Sequence, residues 1–174
     1  MMTDSGEKQG RRGSRDDLAG EHALTDIGQL VLAVFFFAAW IIDSAFFEWT
    51  TFLNPHVPTV VRVPVAGILL ALSAYMAWAS HRTIFGEKRE EPHVVRRGVF
   101  AVVRHPMYLS EILLYLGLLL LSISLMAAGV WLLTIAFLHF IARKEERLLL
   151  ARFGDEYASY MRKVPMWFPW RLKR

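Results

Sequence analysis

The chain has 174 residues, of which 55% are hydrophobic, and a formal net charge of +4. That is more apolar than an ordinary soluble domain, and the apolar residues come in long uncharged runs, which excludes a small water-soluble domain. No cysteine is present, which excludes disulfides, a thiolate nucleophile, cysteine-based metal sites and lipidation on cysteine.

Residues 1–26 are polar and mixed in charge, with no apolar core of a cleavable signal. They read as a disordered cytosolic tail, leaving 27–174 as one integral-membrane domain. The first apolar run, 27–47, carries only Asp43 as an internal charge. The following segment, 48–62, has Arg62 as its single basic residue, and the second run, 63–80, has no charge. Segment 81–106 is basic, with Arg82, Lys88, Arg89, Arg96, Arg97 and Arg104. Residues 109–142 then carry only Glu111 and His139. That stretch must cross and return, as two helices of about 17 residues at the short end for a bilayer span. Ser and Gly punctuate SISLMAAG, so the turn is expected within 122–129, in a tilted or locally thinned hairpin. The rest, 143–174, is again rich in Lys and Arg.

Basic loops stay cytosolic. The charges therefore predict four spans with both termini in the cytosol, and they bring 81–106 and 143–174 to the same side. The expected architecture is all-α: a polytopic membrane helix bundle of about four transmembrane helices with a cytosolic amphipathic C-terminal helix. The basic balance is explained by membrane topology, so no nucleic-acid partner is expected. The expected location is a cell membrane of prokaryotic type.

Two stretches carry chemistry. RHPMY, residues 104–108, stands at the entry to the third span. Pro106 suits the first turn of a helix, where its missing N–H costs nothing, and Gly98 lets the preceding loop turn tightly. Arg104 and His105 then lie beside a helix N-terminus, which favours anions. Tyr108, Glu111 and Tyr115 follow at i, i+3 and i+7 on one face, and a carboxylate that deep in a membrane helix points to function. The bland alternative is that Arg96, Arg97 and Arg104 meet lipid head groups, that Tyr108 belongs to the interfacial belt and that Glu111 bonds a neighbouring helix.

The second stretch begins at the end of the last span. His139, Arg143 and Glu146 recur at i, i+4 and i+7, with Glu145 beside them. Leu148, Leu149, Phe153, Tyr157, Tyr160 and Met161 form an apolar face on an amphipathic segment interrupted by Gly154. Taken alone, Glu145 and Glu146 also read as a solvated pair bridged to Lys144 or Arg147.

Taken together, GVFAVVRHPMYLSE and RKEERLLLARFGDEYASYMRKVPMWFP resemble the isoprenylcysteine carboxyl methyltransferase family, related to the phosphatidylethanolamine N-methyltransferases. The resemblance covers residues 85–170, roughly half of the chain, and the first two spans carry none of it. It implies an integral-membrane methyltransferase that binds S-adenosylmethionine without a Rossmann domain, and the sequence has no G-x-G-x-x-G. By position, it implies cofactor contacts from His93, Val94, Val95, Phe100, Arg104, His105, Pro106, Met107 and Tyr108, and from Glu145 and Glu146. It implies a lipophilic or lipidated acceptor drawn from among membrane lipids, O- or N-methylated, with Arg143, Glu146 and Glu111 as the catalytic candidates, and no metal. An amine acceptor would have to lose a proton, to Glu111, Glu146 or His139. Two departures stand out. The family arginine that holds a substrate carboxylate falls on Ile141 here, with Arg143 the nearest base, and the His93-to-Gly98 spacing is one residue shorter than in the animal proteins. Two other readings compete: an NADPH-dependent membrane reductase of the sterol reductase type, whose tail is similar, and a non-catalytic membrane scaffold. Cofactor binding separates the three.

Overall fold

Apolar run length and a few turn residues account for the order of elements in the computed structural model, which describes residues 23–86 and 93–168. Every regular element among the described residues is helical. The first helix, α1 (Ala23–Ile41), starts within the segment expected to be tail, so only 1–22 of that segment lie outside the described residues. It continues without a break into a π-helical turn, Ile42–Phe47, and the two together form one apolar span, Asp26–Phe47. Helix α2 (Thr59–Phe85) is a second span of 27 residues, longer at both ends than the uncharged run within it. Helix α3 (Pro106–Ser122) has 17 residues and α4 (Leu125–Phe153) has 29. At 1.5 Å per residue, α3 is about 26 Å long, short of a ~30 Å hydrocarbon core, whereas α4 at about 44 Å runs well beyond one. Helix α5 (Asp155–Lys163) is short and strongly amphipathic.

The hairpin between α3 and α4 falls inside the SISLMAAG stretch. Ile123 takes a left-handed conformation (φ 43°) and its N–H returns to the Leu119 carbonyl. Ser124 then caps α4 by accepting from the Ala127 N–H at 3.1 Å. A β-branched residue at positive φ is strained, and the polar cluster around it holds the turn. Asp43, fully buried in the π turn, accepts from the Ser124 hydroxyl (2.5 Å), the Thr50 N–H (3.0 Å) and the Thr50 hydroxyl. The Thr50 hydroxyl oxygen in turn accepts from the Met126 N–H at 3.0 Å. The far end of the first span is thus tied to the tip of the hairpin.

Small residues set the lateral packing. A side-chain carbon on Gly117 of α3 would come within 2.9 Å of Leu70 and 3.3 Å of the Ala66 carbonyl on α2, so these two helices approach closely. A carbon on Gly28 of α1 would overlap the Phe137 ring of α4. The Phe36 ring of α1 stacks on Tyr115 of α3, with centroids 4.2 Å apart. The outward faces of α1, α2 and α4 expose Phe, Leu, Ile and Val, as a lipid-facing surface requires. The protein is an integral membrane helix bundle.

Candidate active site

The charged end of the bundle is assembled from the loop before α3 and the chain that follows the last span. Gly98 has φ +58°, and a Cβ there would stand 3.0 Å from the Thr83 hydroxyl, so glycine turns the chain from the extended residues 93–97 into a 3-10 turn at Gly98–Ala101. The turn delivers His105 as N-cap and Pro106 as first residue of α3, in the place its missing N–H favours. From the other side, α5 folds back so that Tyr157, Tyr160 and Val164 pack with Val94 of the loop. Burial pushes the Tyr157 and Tyr160 phenols up, so both remain donors. Tyr160 gives its proton to the Phe100 carbonyl at 2.7 Å.

Arg104 joins these parts. Its Nε donates to Glu146 Oε1 at 2.7 Å, and one terminal nitrogen donates to the carbonyls of Met161 (2.9 Å) and Val164 (2.8 Å). Its backbone N–H donates to the Pro165 carbonyl at 3.0 Å. The side chains of this ion pair are 9% and 3% exposed, so it is shielded from water. His105 Nε2 also meets Glu146 Oε1 at 3.3 Å, and a carboxylate paired with Arg104 accepts there, which puts the proton on Nε2.

The adjacent glutamates serve two sides of α4, because neighbours on a helix point about 100° apart. Glu146 is buried behind the site with Arg104 and His105. Glu145 faces the interior, where it accepts from the Tyr108 hydroxyl, and its second oxygen is 3.6 Å from His105 Nδ1. The rings of His105 and Tyr108 lie parallel, with centroids 5.6 Å apart.

A cavity of about 520 Å³ opens beside this pair, within the ~300–1,000 Å³ usual for small-molecule sites. It is lined by His93, Val94, Val95, Phe100, Arg104, His105, Pro106, Met107, Tyr108 and Glu145 at the charged end. Further along it is lined by Gln29, Ser73, Ala77, Ser110, Glu111 and Leu114, with the exposed Asp26 at the start of the first span also bordering it. Glu111 accepts from Gln29 Nε2 at 3.1 Å and from the Tyr115 hydroxyl at 2.9 Å. Of the residues singled out from sequence, Glu146 supports the lining without being part of it. Arg143 is exposed and stands outside the lining, and His139 accepts from Trp167 Nε1 at 3.2 Å, also away from it. Arg96 forms an exposed pair with Glu156. Sequence reasoning passed over Asp26 and Gln29 on α1. The available signal was a polar side chain inside the first apolar run, at i+3 from an aspartate at its edge.

The sequence profile of the phospholipid methyltransferase family matches residues 61–156. Cobalt-zinc-cadmium resistance protein CzcN of Cupriavidus metallidurans is 29% identical over 64% of this chain and 50% of its own. Methanethiol S-methyltransferase 1 of Bradyrhizobium diazoefficiens is 30% identical over 65% of this chain and 42% of its own. Protein-S-isoprenylcysteine O-methyltransferase of Schizosaccharomyces pombe is 32% identical over 70% of this chain and 55% of its own. This chain therefore spans about half the length of the curated relatives it matches. The solved structure of a eukaryotic intramembrane isoprenylcysteine carboxyl methyltransferase has the same fold, with a TM-score of 0.57 and 21% identity over 93% of this chain and 58% of that one.

Proposed function

The chain belongs to the phospholipid methyltransferase family, and from that premise we propose that it transfers a methyl group from S-adenosylmethionine to a lipophilic acceptor within the membrane. The observation that carries this reading is the continuity of the cavity, from Tyr108 and Glu145 at the charged end to Gln29 and Glu111 among apolar helices. A water-soluble methyl donor and a membrane-soluble acceptor need such a shared space.

The residues at the charged end fit the donor. When bound, S-adenosylmethionine supplies an electrophilic methyl group on a sulfonium with a neutral leaving group. The rings of Phe100 and Tyr108 suit a cation, and Glu145, held by the Tyr108 hydroxyl, accepts from ribose hydroxyls. The first-turn N–H groups of α3, which the His105 side chain does not cap, suit a carboxylate. Arg104 and Glu146 keep the loop, α4 and α5 in register around these groups. The protein's part is to align donor and acceptor and to exclude water. Two relatives carry the names of an S- and an O-methyltransferase, so acceptor chemistry varies across this range of similarity.

The test is calorimetric binding of S-adenosylmethionine to the detergent-purified protein, with NADPH as control. Binding of S-adenosylmethionine alone is expected, weakened about tenfold or more by Tyr108→Phe or Glu145→Gln, since each removes one partner of a charge-assisted hydrogen bond. Binding of NADPH alone would point to a reductase. Binding of neither would leave a scaffold.

A further inference from the structure

Beyond α5 the chain turns back onto the bundle. The Val164 carbonyl accepts from the Arg104 guanidinium (2.8 Å) and the Pro165 carbonyl from the Arg104 N–H (3.0 Å). Two residues further on, the Trp167 ring packs against the buried cluster of Met76 in α2, Val103, and Leu109 in α3. Its indole Nε1–H donates to His139 Nδ1 at 3.2 Å, an acceptor that a neutral imidazole offers when its proton is on Nε2. His139 lies on the exposed side of α4, inside the apolar span Leu125–Phe153. An imidazole nitrogen and an indole N–H are costly against hydrocarbon, and pairing them lowers both costs. The Trp167 ring centroid is also 5.9 Å from that of His105. His105 in turn meets both glutamates, Glu146 through Nε2 (3.3 Å) and Glu145 through Nδ1 (3.6 Å), and its ring lies parallel to that of Tyr108.

We propose that Trp167 and His139 are positioning residues for the donor pocket: their hydrogen bond latches the chain beyond α5 onto α4 and holds the His105 ring against Glu145 and Glu146. The inference rests on the methyltransferase reading and adds how one wall of its donor pocket is kept in place. Neither residue lines the cavity, so both act through His105. The carbonyls of Val164 and Pro165 fix the path of the backbone but not the rotation of the Trp167 side chain. A directed N–H···N bond selects one orientation of the indole, and that orientation sets the ring against His105. His139 and Glu146 are seven residues apart on one stripe of α4, about 10 Å along the axis. The latch and the carboxylate it serves are therefore carried by the same rigid helix. His139 thus has a part in the site as the acceptor for Trp167, without a place in the cavity.

The experiment compares three variants of the detergent-purified protein. Trp167→Phe keeps an aromatic ring and removes the N–H. His139→Leu removes the acceptor at an exposed position, and His139→Asn returns one as an amide oxygen. Calorimetric affinity for S-adenosylmethionine is expected to fall about fivefold in Trp167→Phe and in His139→Leu, the scale of one hydrogen bond. The double variant is expected to fall no further, because both changes remove the same contact. His139→Asn is expected to return to within about twofold of the parent. A merely structural strap would lower the midpoint of thermal unfolding and leave the affinity unchanged, and that result overturns the assignment. So does an equal loss in His139→Asn and His139→Leu, or a double variant that loses the product of the two single effects. The indole N–H resonance of Trp167, identified among the six tryptophans by its absence in Trp167→Phe, is expected to shift in His139→Leu. A resonance that does not move overturns the latch whatever the protein binds. A wild-type protein that shows the shift but binds no S-adenosylmethionine overturns the methyltransferase reading and not the latch, so the two failures are distinct.

Discussion

Arg104 shows how much of this site depends on a single side chain. It touches α4 through Glu146, the end of α5 through Met161, and the segment beyond through Val164 and Pro165. Replacing it with Ala leaves Glu146, whose side chain is 3% exposed, as a charge with no ion-pair partner except His105. The expected cost is about 3–5 kcal/mol, seen as a lowered midpoint of thermal unfolding in detergent. Arg104→Lys should recover little, because an ammonium cannot reproduce the planar fork that reaches a carboxylate and two carbonyls together. The apolar double replacement Arg104→Met with Glu146→Leu should be far milder than Arg104→Ala, since it removes both charges at once. If the single and double variants melt alike, the buried charge is not what matters. By contrast the exposed Arg96–Glu156 pair should contribute no more than about 1 kcal/mol.

At the scale of elements, the bundle is closed at its two ends by different means. The charged end uses the arginine fork and the aromatic packing of α5. The opposite end uses Asp43, whose carboxylate gathers Thr50 and Ser124 and so pins the π turn of the first span to the strained hairpin at Ile123. Asp43→Ala strips the acceptor from the buried Ser124 hydroxyl and from both donors of Thr50. A loss of about 2 kcal/mol or more is expected, with faster amide exchange at residues 122–127 and an unchanged affinity for S-adenosylmethionine. A variant that melts like the parent would show that the hairpin is held by helix packing alone. α3 is the shortest of the apolar helices, and its length follows from where Ile123 turns the chain.

For the whole molecule, the basic segments place the site on one side of the membrane. The charge pattern predicts that the end bearing Tyr108 and Glu145 faces the cytosol, where S-adenosylmethionine is made. The absence of cysteine makes this easy to test with single introduced thiols. In intact cells an impermeant maleimide should label Phe52→Cys and spare Val102→Cys and Lys163→Cys. The reverse pattern would invert the orientation.

Much of this protein is written in local sequence. Apolar run length marked the spans, the Ser and Gly of 122–129 bracketed the hairpin, and Gly98 with Pro106 marked the turn into α3, because each depends on backbone preference or on transfer from water within a few residues. The basic charges were enough to bring 81–106 and 143–174 to the same side. The tertiary structure decided what those residues do to each other. Nothing local distinguishes Glu145 from Glu146. Only the position of Arg104 across the gap buries one and leaves the other facing the cavity. A polar Gln29 inside an apolar run hinted at a role for α1, but its partner, Glu111, 82 positions away, was fixed only when Gly28 let α1 close on α4. Pairings between distant polar groups in a bundle are set by helix packing, and packing is a property of the assembled helices rather than of any one of them.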